Sequence, residues 1–137
     1  MEEAYYFSNP YDQDQLYDIY DLFQFYSKRF FLNKLNNCEL KWSTRMTLCA
    51  GTCKFQGNNS LITLSEPLLK FRSNNELKET LLHEMIHAYL FMTDMQACRT
   101  EGGHGPVFQN MMHQLNNVTG LMITVYHSFH DEVEIYR

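Results

Sequence analysis

Ser73-Asn74-Asn75-Glu76-Leu77-Lys78-Glu79-Thr80-Leu81-Leu82-His83-Glu84-Met85-Ile86-His87-Ala88-Tyr89-Leu90-Phe91-Met92 is the stretch whose reading decides the fold of this chain. Its first four residues form a capping-box pattern, which predicts a strong helix running to about residue 92. Inside that helix lies H-E-x-x-H. Residues four apart share a helical face, with about 5–6 Å between their Cβ atoms, so His83 and His87 can reach one zinc ion. Glu84 flanks the same face, where a carboxylate can take a proton from water rather than bind the metal. Zinc lowers the pKa of its bound water to about 7, and a nearby base then makes it a nucleophile.

A catalytic zinc needs a third protein ligand and an open position. The metzincin spacing would require Gly and His where Leu90 and Thr93 stand, so it fails. His104 is the first candidate, because Gly103 and Gly105 permit close backbone approach and Pro106 marks a helix start that would fix its aim. Glu101 is the second, as a carboxylate ligand. His113 falls on the following helix, where packing or surface exposure is the better reading. His127 and His130 bracket an aromatic and could orient a ligand or steady an oxyanion. Cys49 and Cys53 would share one side of a strand, but without two further paired ligands they read as small core thiols.

Outward from that helix, the chain reads as one α+β domain. Apolar residues make up 45% of its 137 residues and charged ones 20%, which excludes wholesale disorder. No apolar run approaches the roughly 18 residues of a membrane span, so no membrane partner is expected. The acidic N-terminus offers no secretory signal, and four cysteines then read as reduced thiols inside a cell. The sequons at Asn58 and Asn117 are expected to be unused. Residues 1–11 read as a flexible lead-in. Asp12 and Gln15 suggest a cap, and Leu16, Ile19, Tyr20, Phe23, Phe30 and Phe31 a first helix over residues 14–35. A short strand at Leu40 and Trp42 follows, then strands over residues 46–55 and 60–64 around a Gln56-Gly57-Asn58-Asn59 hairpin turn. Pro67 opens a short turn or helix, and residues 93–103 read as a polar loop. A third helix runs from Pro106 to Gly120, with Val107, Phe108, Met111, Met112, Leu115 and Val118 in its buried stripe, and residues 121–127 read as a last strand. The expected architecture is a small antiparallel sheet packed on helices, with H-E-x-x-H on the central one.

The formal charge of −5 argues against nucleic-acid binding by bulk charge, yet its distribution is uneven. Residues 1–26 carry six acids and no Lys or Arg, whereas residues 28–54 carry Lys28, Arg29, Lys34, Lys41, Arg45 and Lys54 against Glu39 alone. If these six share a face they can meet phosphates; otherwise they are a solvated helix end and sheet edge.

Several ordered motifs resemble the SprT-like metalloprotease family, and within it the DNA-dependent proteases of DNA–protein crosslink repair. They are Lys41-Trp42-Ser43, Arg45-Met46-Thr47-Leu48-Cys49-Ala50-Gly51, Leu64-Ser65-Glu66-Pro67-Leu68-Leu69-Lys70, the segment from Glu79 to Phe91, Gly103-His104-Gly105-Pro106, and Ile123 through Val133. The resemblance implies a zincin-like core over residues 12–137, one catalytic Zn²⁺ on His83, His87 and His104, and Glu84 as catalytic base. It decides for His104 over Glu101. It also implies protein substrates on DNA, DNA as a partner, and a nuclear, chromatin-associated location. The family's C-terminal zinc-binding subdomain would begin just beyond Arg137 and is absent from these residues. DNA binding by this chain alone is therefore expected to be weak, and contacts to ubiquitin, the sliding clamp and an unfoldase are expected only with a longer C-terminus. The alternative is a non-catalytic DNA- or chromatin-protein-binding module that keeps zinc as a clamp. The presence of Glu84 speaks against it, because a structural site needs no general base.

Overall fold

The computed structural model describes residues 18–126. The lead-in, the Asp12 cap, His127, His130 and the C-terminal tail lie outside the described residues. The elements in chain order are α1 (Ile19–Phe30), β1 (Cys38–Ser43), β2 (Gly51–Gln56), β3 (Asn59–Ser65), α2 (Glu66–Leu69), α3 (Asn74–Thr93), α4 (Met95–Arg99), a 3-10 turn (Thr100–Gly103) and α5 (Pro106–Thr119). The class is α+β, as expected, and none of these helices is long and apolar enough to cross a membrane.

Asp18 caps α1, its carboxylate accepting from the amides of Tyr20 (2.8 Å) and Asp21 (3.3 Å). The helix is shorter than its apolar pattern suggests. Leu32 and Asn33 adopt left-handed backbone (φ 55° and 57°), and the Asn33 amide closes on the Ser27 carbonyl at 3.0 Å. Phe31 and Leu35 are nonetheless buried, so the apolar residues past Phe30 mark core rather than further helix.

The sheet has the order β1-β3-β2, with β1 parallel to β3 and β2 antiparallel to it. It is therefore mixed, which corrects the expectation of an antiparallel sheet. The cause is burial. β3 hides Ser60, Ile62, Thr63, Leu64 and Ser65 and takes the centre, whereas β2 is largely open and takes an edge. β1 then docks on the remaining edge of β3. The strand expected from residue 46 begins only at Gly51, leaving Cys49 in the connection. That connection is stapled at both ends: at its start Ser43 Oγ accepts from the Arg45 and Met46 amides (3.2 and 3.0 Å) and the Ser65 hydroxyl donates to the Met46 carbonyl (2.5 Å), and at its close the Ser65 amide donates to the Ala50 carbonyl (2.8 Å). The hairpin turn stands where the sequence puts it, with Gln56 opposite Asn59.

Ser73 caps α3 by accepting from the Glu76 amide at 3.2 Å. Buried residues occupy every side of this helix, among them Leu77, Leu81, Leu82, Met85, Ile86 and Leu90, which identifies it as the central one. One side meets Ile62 and Leu64 of the sheet, and Phe108, Met112 and Leu115 of α5 complete the core. Of the other residues expected in that stripe, Met111 is half-buried and Val107 and Val118 are exposed, because they flank the face that α5 turns inward. The polar stretch after α3 is not a plain loop. Asp94 accepts from the Ala97 amide (3.1 Å) and starts α4, too short a helix for periodicity to reveal. The last expected strand is also corrected. Among the described residues, 121–126 run without a strand partner, although Leu121 and Ile123 are buried and Met122 and Thr124 exposed, the alternation of a strand.

Candidate metal centre

His83 and His87 leave the buried face of α3 one turn apart, and His104 reaches them from the junction between the 3-10 turn and α5. Their Nε2 atoms form a nearly equilateral triangle: 3.2 Å for His83–His87, 3.0 Å for His87–His104 and 3.2 Å for His83–His104. Among the described residues these three form the group that could hold a metal ion; His83 and His87 are buried and His104 half-buried. Three nitrogens bound tetrahedrally at about 2.0–2.1 Å would stand about 3.3 Å apart, so the triangle is close to the size such an ion requires. The chemistry of the donors agrees. His83 Nδ1 lies 2.7 Å from the Thr124 carbonyl, which can only accept, so Nδ1 carries a proton and Nε2 is the nitrogen that can offer a lone pair into the triangle.

Neighbouring residues hold this arrangement. The His104 amide donates to the Glu101 carbonyl (3.1 Å), and Gln109 Nε2 donates to the His104 carbonyl (2.8 Å), fixing the backbone from which the third imidazole projects. Gly103 has φ 87°, and a Cβ there would stand 3.0 Å from His87 Cε1 and 3.1 Å from its Nδ1. Only glycine lets the turn pass this close to the ring. Phe108 is fully buried, with its ring centroid 5.1 Å from that of His83 and 4.8 Å from those of His87 and His104. It is the apolar platform shared by all three imidazoles. The sequence marks Phe108 only as core; its spacing four residues after His104 is the signal that points here. Thr124 carries no signal at all, since its contribution is a backbone carbonyl.

Glu84 is fully buried beside the triad. With His87, Cys53, Phe55, Cys98, Gly102 and Gly103 it lines a cavity of about 160 Å³. A Cβ on Gly51 would fall 2.8 Å from Thr80 Cγ2 and 3.2 Å from Glu84 Oε2, so the start of β2 lies directly against the carboxylate. Burial, followed by the negative charge of Glu84, pushes the Cys53 thiol far above its usual range, and burial raises Cys98 as well. Both therefore remain neutral thiols, which are poor metal ligands. Among the described residues no metal-holding group includes a cysteine.

Glu101 is exposed, in left-handed backbone (φ 50°), and lies outside the metal-holding group; His113 is exposed on α5 and also outside it. The six basic residues divide. Lys41, Arg45 and Lys54 line one cavity of about 410 Å³, together with Ser43, Thr52 and Thr63. It opens on the sheet face opposite α3, where Lys41 and Thr52 both pair with Thr63 and Lys54 pairs with Leu61. Lys28 and Arg29 sit in the last turn of α1, where Arg29 lies 5.8 Å from the Phe30 centroid, and Lys34 is exposed beyond it. None of these three lines the cavity.

A mixed sheet behind a buried H-E-x-x-H helix, with a third imidazole delivered by the following segment, is a zincin-like architecture. A model described as the SprT-like family matches residues 19–127, and the chain belongs to that family. It is 55% identical over 122 residues to the "DNA-dependent metalloprotease SPRTN" of Bos taurus and 54% identical over 122 residues to that of Homo sapiens. It is 50% identical over 125 residues to the "DNA-dependent metalloprotease dvc-1" of Caenorhabditis elegans. Each match covers 88% of this chain and 25%, 24% and 33% of the respective relative, so the chain spans about a quarter to a third of their length.

Proposed function

We propose that this chain is the catalytic core of a zinc-dependent endopeptidase that cleaves proteins bound or crosslinked to DNA, in DNA damage repair. The observation that carries the reading is the triangle of His83, His87 and His104 with Glu84 buried beside it. Those three imidazoles would hold the ion, and among the described residues Glu84 is the only carboxylate lining the adjoining cavity. A zinc ion held there would supply Lewis acidity toward a scissile carbonyl and would acidify the attacking water. Glu84 accepts the proton from the attacking water and returns it to the departing amide nitrogen. Its burial against Gly51 keeps the carboxylate in one place for both transfers. His83, oriented through Nδ1 by the Thr124 carbonyl, would present its Nε2 to the ion.

The DNA part of the reading rests on the relatives' printed name and on the cavity lined by Lys41, Arg45 and Lys54. Three cations with three hydroxyls suit phosphate oxygens. That cavity faces away from α3, so a bound strand would leave the metal-centre side clear for a polypeptide. A nuclear, chromatin-associated site of action follows from the same reading. The test is metal analysis of the purified chain combined with cleavage of a DNA-bound protein, with and without DNA, by the wild type and by Glu84→Gln. One zinc per chain in both, and cleavage by the wild type alone, is expected. Undiminished cleavage by zinc-loaded Glu84→Gln would move the chemistry elsewhere.

A further inference from the structure

The segment after α5 is fastened by side chains rather than by a sheet. Thr119 Oγ1 accepts from the Leu121 amide (3.1 Å), and Glu79 Oε2, from α3, accepts from the Met122 amide (2.8 Å). Both polar groups of Ile123 go to a single side chain: its N–H donates to Asn116 Oδ1 (2.7 Å), and its carbonyl accepts from Asn116 Nδ2 (3.0 Å). The next carbonyl along the chain, that of Thr124, receives His83 Nδ1 at 2.7 Å.

We propose that Asn116 is a positioning residue for the metal centre, clamping Ile123 so that the Thr124 carbonyl holds His83 in its metal-binding tautomer and orientation. The proposal rests on the reading of His83, His87 and His104 as a metal site. A carboxamide both donates and accepts in one plane, so it can take the two ends of one residue as a neighbouring strand would. Aspartate would keep the bond from the Ile123 amide but has no hydrogen to offer the Ile123 carbonyl, and alanine would keep neither. Glu79 cannot substitute, because its bond to Met122 lies on the far side of Ile123 from Thr124. Groups that orient a metal-ligating histidine typically matter by 10–100-fold in metal affinity.

The experiment uses the full chain with Asn116→Ala, Asn116→Asp and, as a control, the exposed neighbour Asn117→Ala. Chelator competition reads Zn²⁺ affinity, and the visible absorption of the Co²⁺-loaded protein reports ligand geometry. Asn116→Ala is expected to lose about 10–100-fold in Zn²⁺ affinity with an altered Co²⁺ spectrum, Asn116→Asp to lose less, and Asn117→Ala to match the wild type. A folded Asn116→Ala with wild-type affinity and spectrum overturns the proposal, whatever its melting temperature, because its role would then be structural only. If Asn116→Ala does not fold, Asn116→Asp decides, and unchanged affinity there overturns the proposal equally. A wild-type chain that binds neither ion overturns the metal reading and this proposal with it.

Discussion

Replacing Gly103 by alanine isolates the contact between the turn and the metal centre, because its neighbour supplies the control. Gly102 and Gly103 both have positive φ (65° and 87°), so a side chain at either position costs backbone strain of about 1–2 kcal/mol. They differ in what a Cβ would meet. At Gly102 nothing lies within 4 Å, whereas at Gly103 the His87 ring lies at 3.0 Å. Overpacking of this kind typically costs about 1–3 kcal/mol. The cheapest relief is displacement of the His87 ring, since the other close atom is the Cys98 backbone carbonyl at 3.3 Å. If that relief is taken at His87, the same 1–3 kcal/mol appears as a loss of about 5–150-fold in metal affinity. Gly102→Ala should lower the melting temperature by a few degrees and leave metal affinity near wild type. Gly103→Ala should lower the melting temperature further and weaken Zn²⁺ in chelator competition. Equal metal affinity in the two variants would refute the reasoning, since it would mean that the turn does not press on His87.

Three further outcomes are expected. His104→Ala should lower zinc affinity sharply in chelator competition while Glu101→Ala leaves it nearly unchanged, and the reverse would give the third position to the carboxylate. Lys41→Glu with Arg45→Glu should weaken single-strand DNA binding, itself in the range of about 10⁻⁴–10⁻⁶ M, and flatten its salt dependence by roughly 0.7 in slope for each phosphate no longer neutralised. Fluorescence anisotropy at two salt concentrations reads both, and binding unaltered by the double change would place the DNA surface elsewhere. Burial pushes the Glu79 carboxyl above the usual carboxylate range, against the opposing bond from the Met122 amide. The folded chain therefore holds this proton to higher pH than the unfolded chain, and stability falls as pH rises through that window. Glu79→Gln still accepts from Met122 and should remove that part of the slope in denaturation measured from pH 4 to 7. An unchanged slope would assign it to other groups.

The parts of this fold that are legible in the sequence are those whose cause is local. Ser73 with Glu76, the i, i+4 histidines and Pro106 each act within a turn or two of chain, so α3, its two ligands and the start of α5 can be read directly. Phe31 and Leu35 are legible as apolar but not as non-helical, because the left-handed residues that end α1 are Leu32 and Asn33, of which only Asn favours that backbone. The parallel pairing of β1 is illegible for a different reason. It follows from a competition between β2 and β3 for the centre of the sheet, which depends on what α3 buries. Residues 121–126 show the same limit from the other side. Their alternation is plain in the sequence, but side chains of α3 and α5, one of them 43 residues away, take the backbone groups that a strand partner would have taken. The basic residues are visible as a composition but not as a grouping, since only the registers β1–β3 and β2–β3 bring Lys41 and Lys54 onto one surface.

The three imidazoles arise from 22 consecutive residues, 83 through 104, and within that span the longest excursion closes His87 onto His104 over 17 residues. Closing a flexible loop of this length carries a length-dependent entropy of only about 2.5 kcal/mol. The β1–β3 pairing joins residues 22 apart, only about 0.2 kcal/mol more by the same measure, but its loop contains β2 as well. An ion should therefore be able to gather its donors at small loop cost before the sheet is complete. Two things follow for this protein. Added metal should accelerate refolding, because the helix–turn–helix unit around the ion can form as an early nucleus. And if the unfolded ensemble also binds the ion, the rise in melting temperature with metal should fall short of what the folded-state affinity alone predicts.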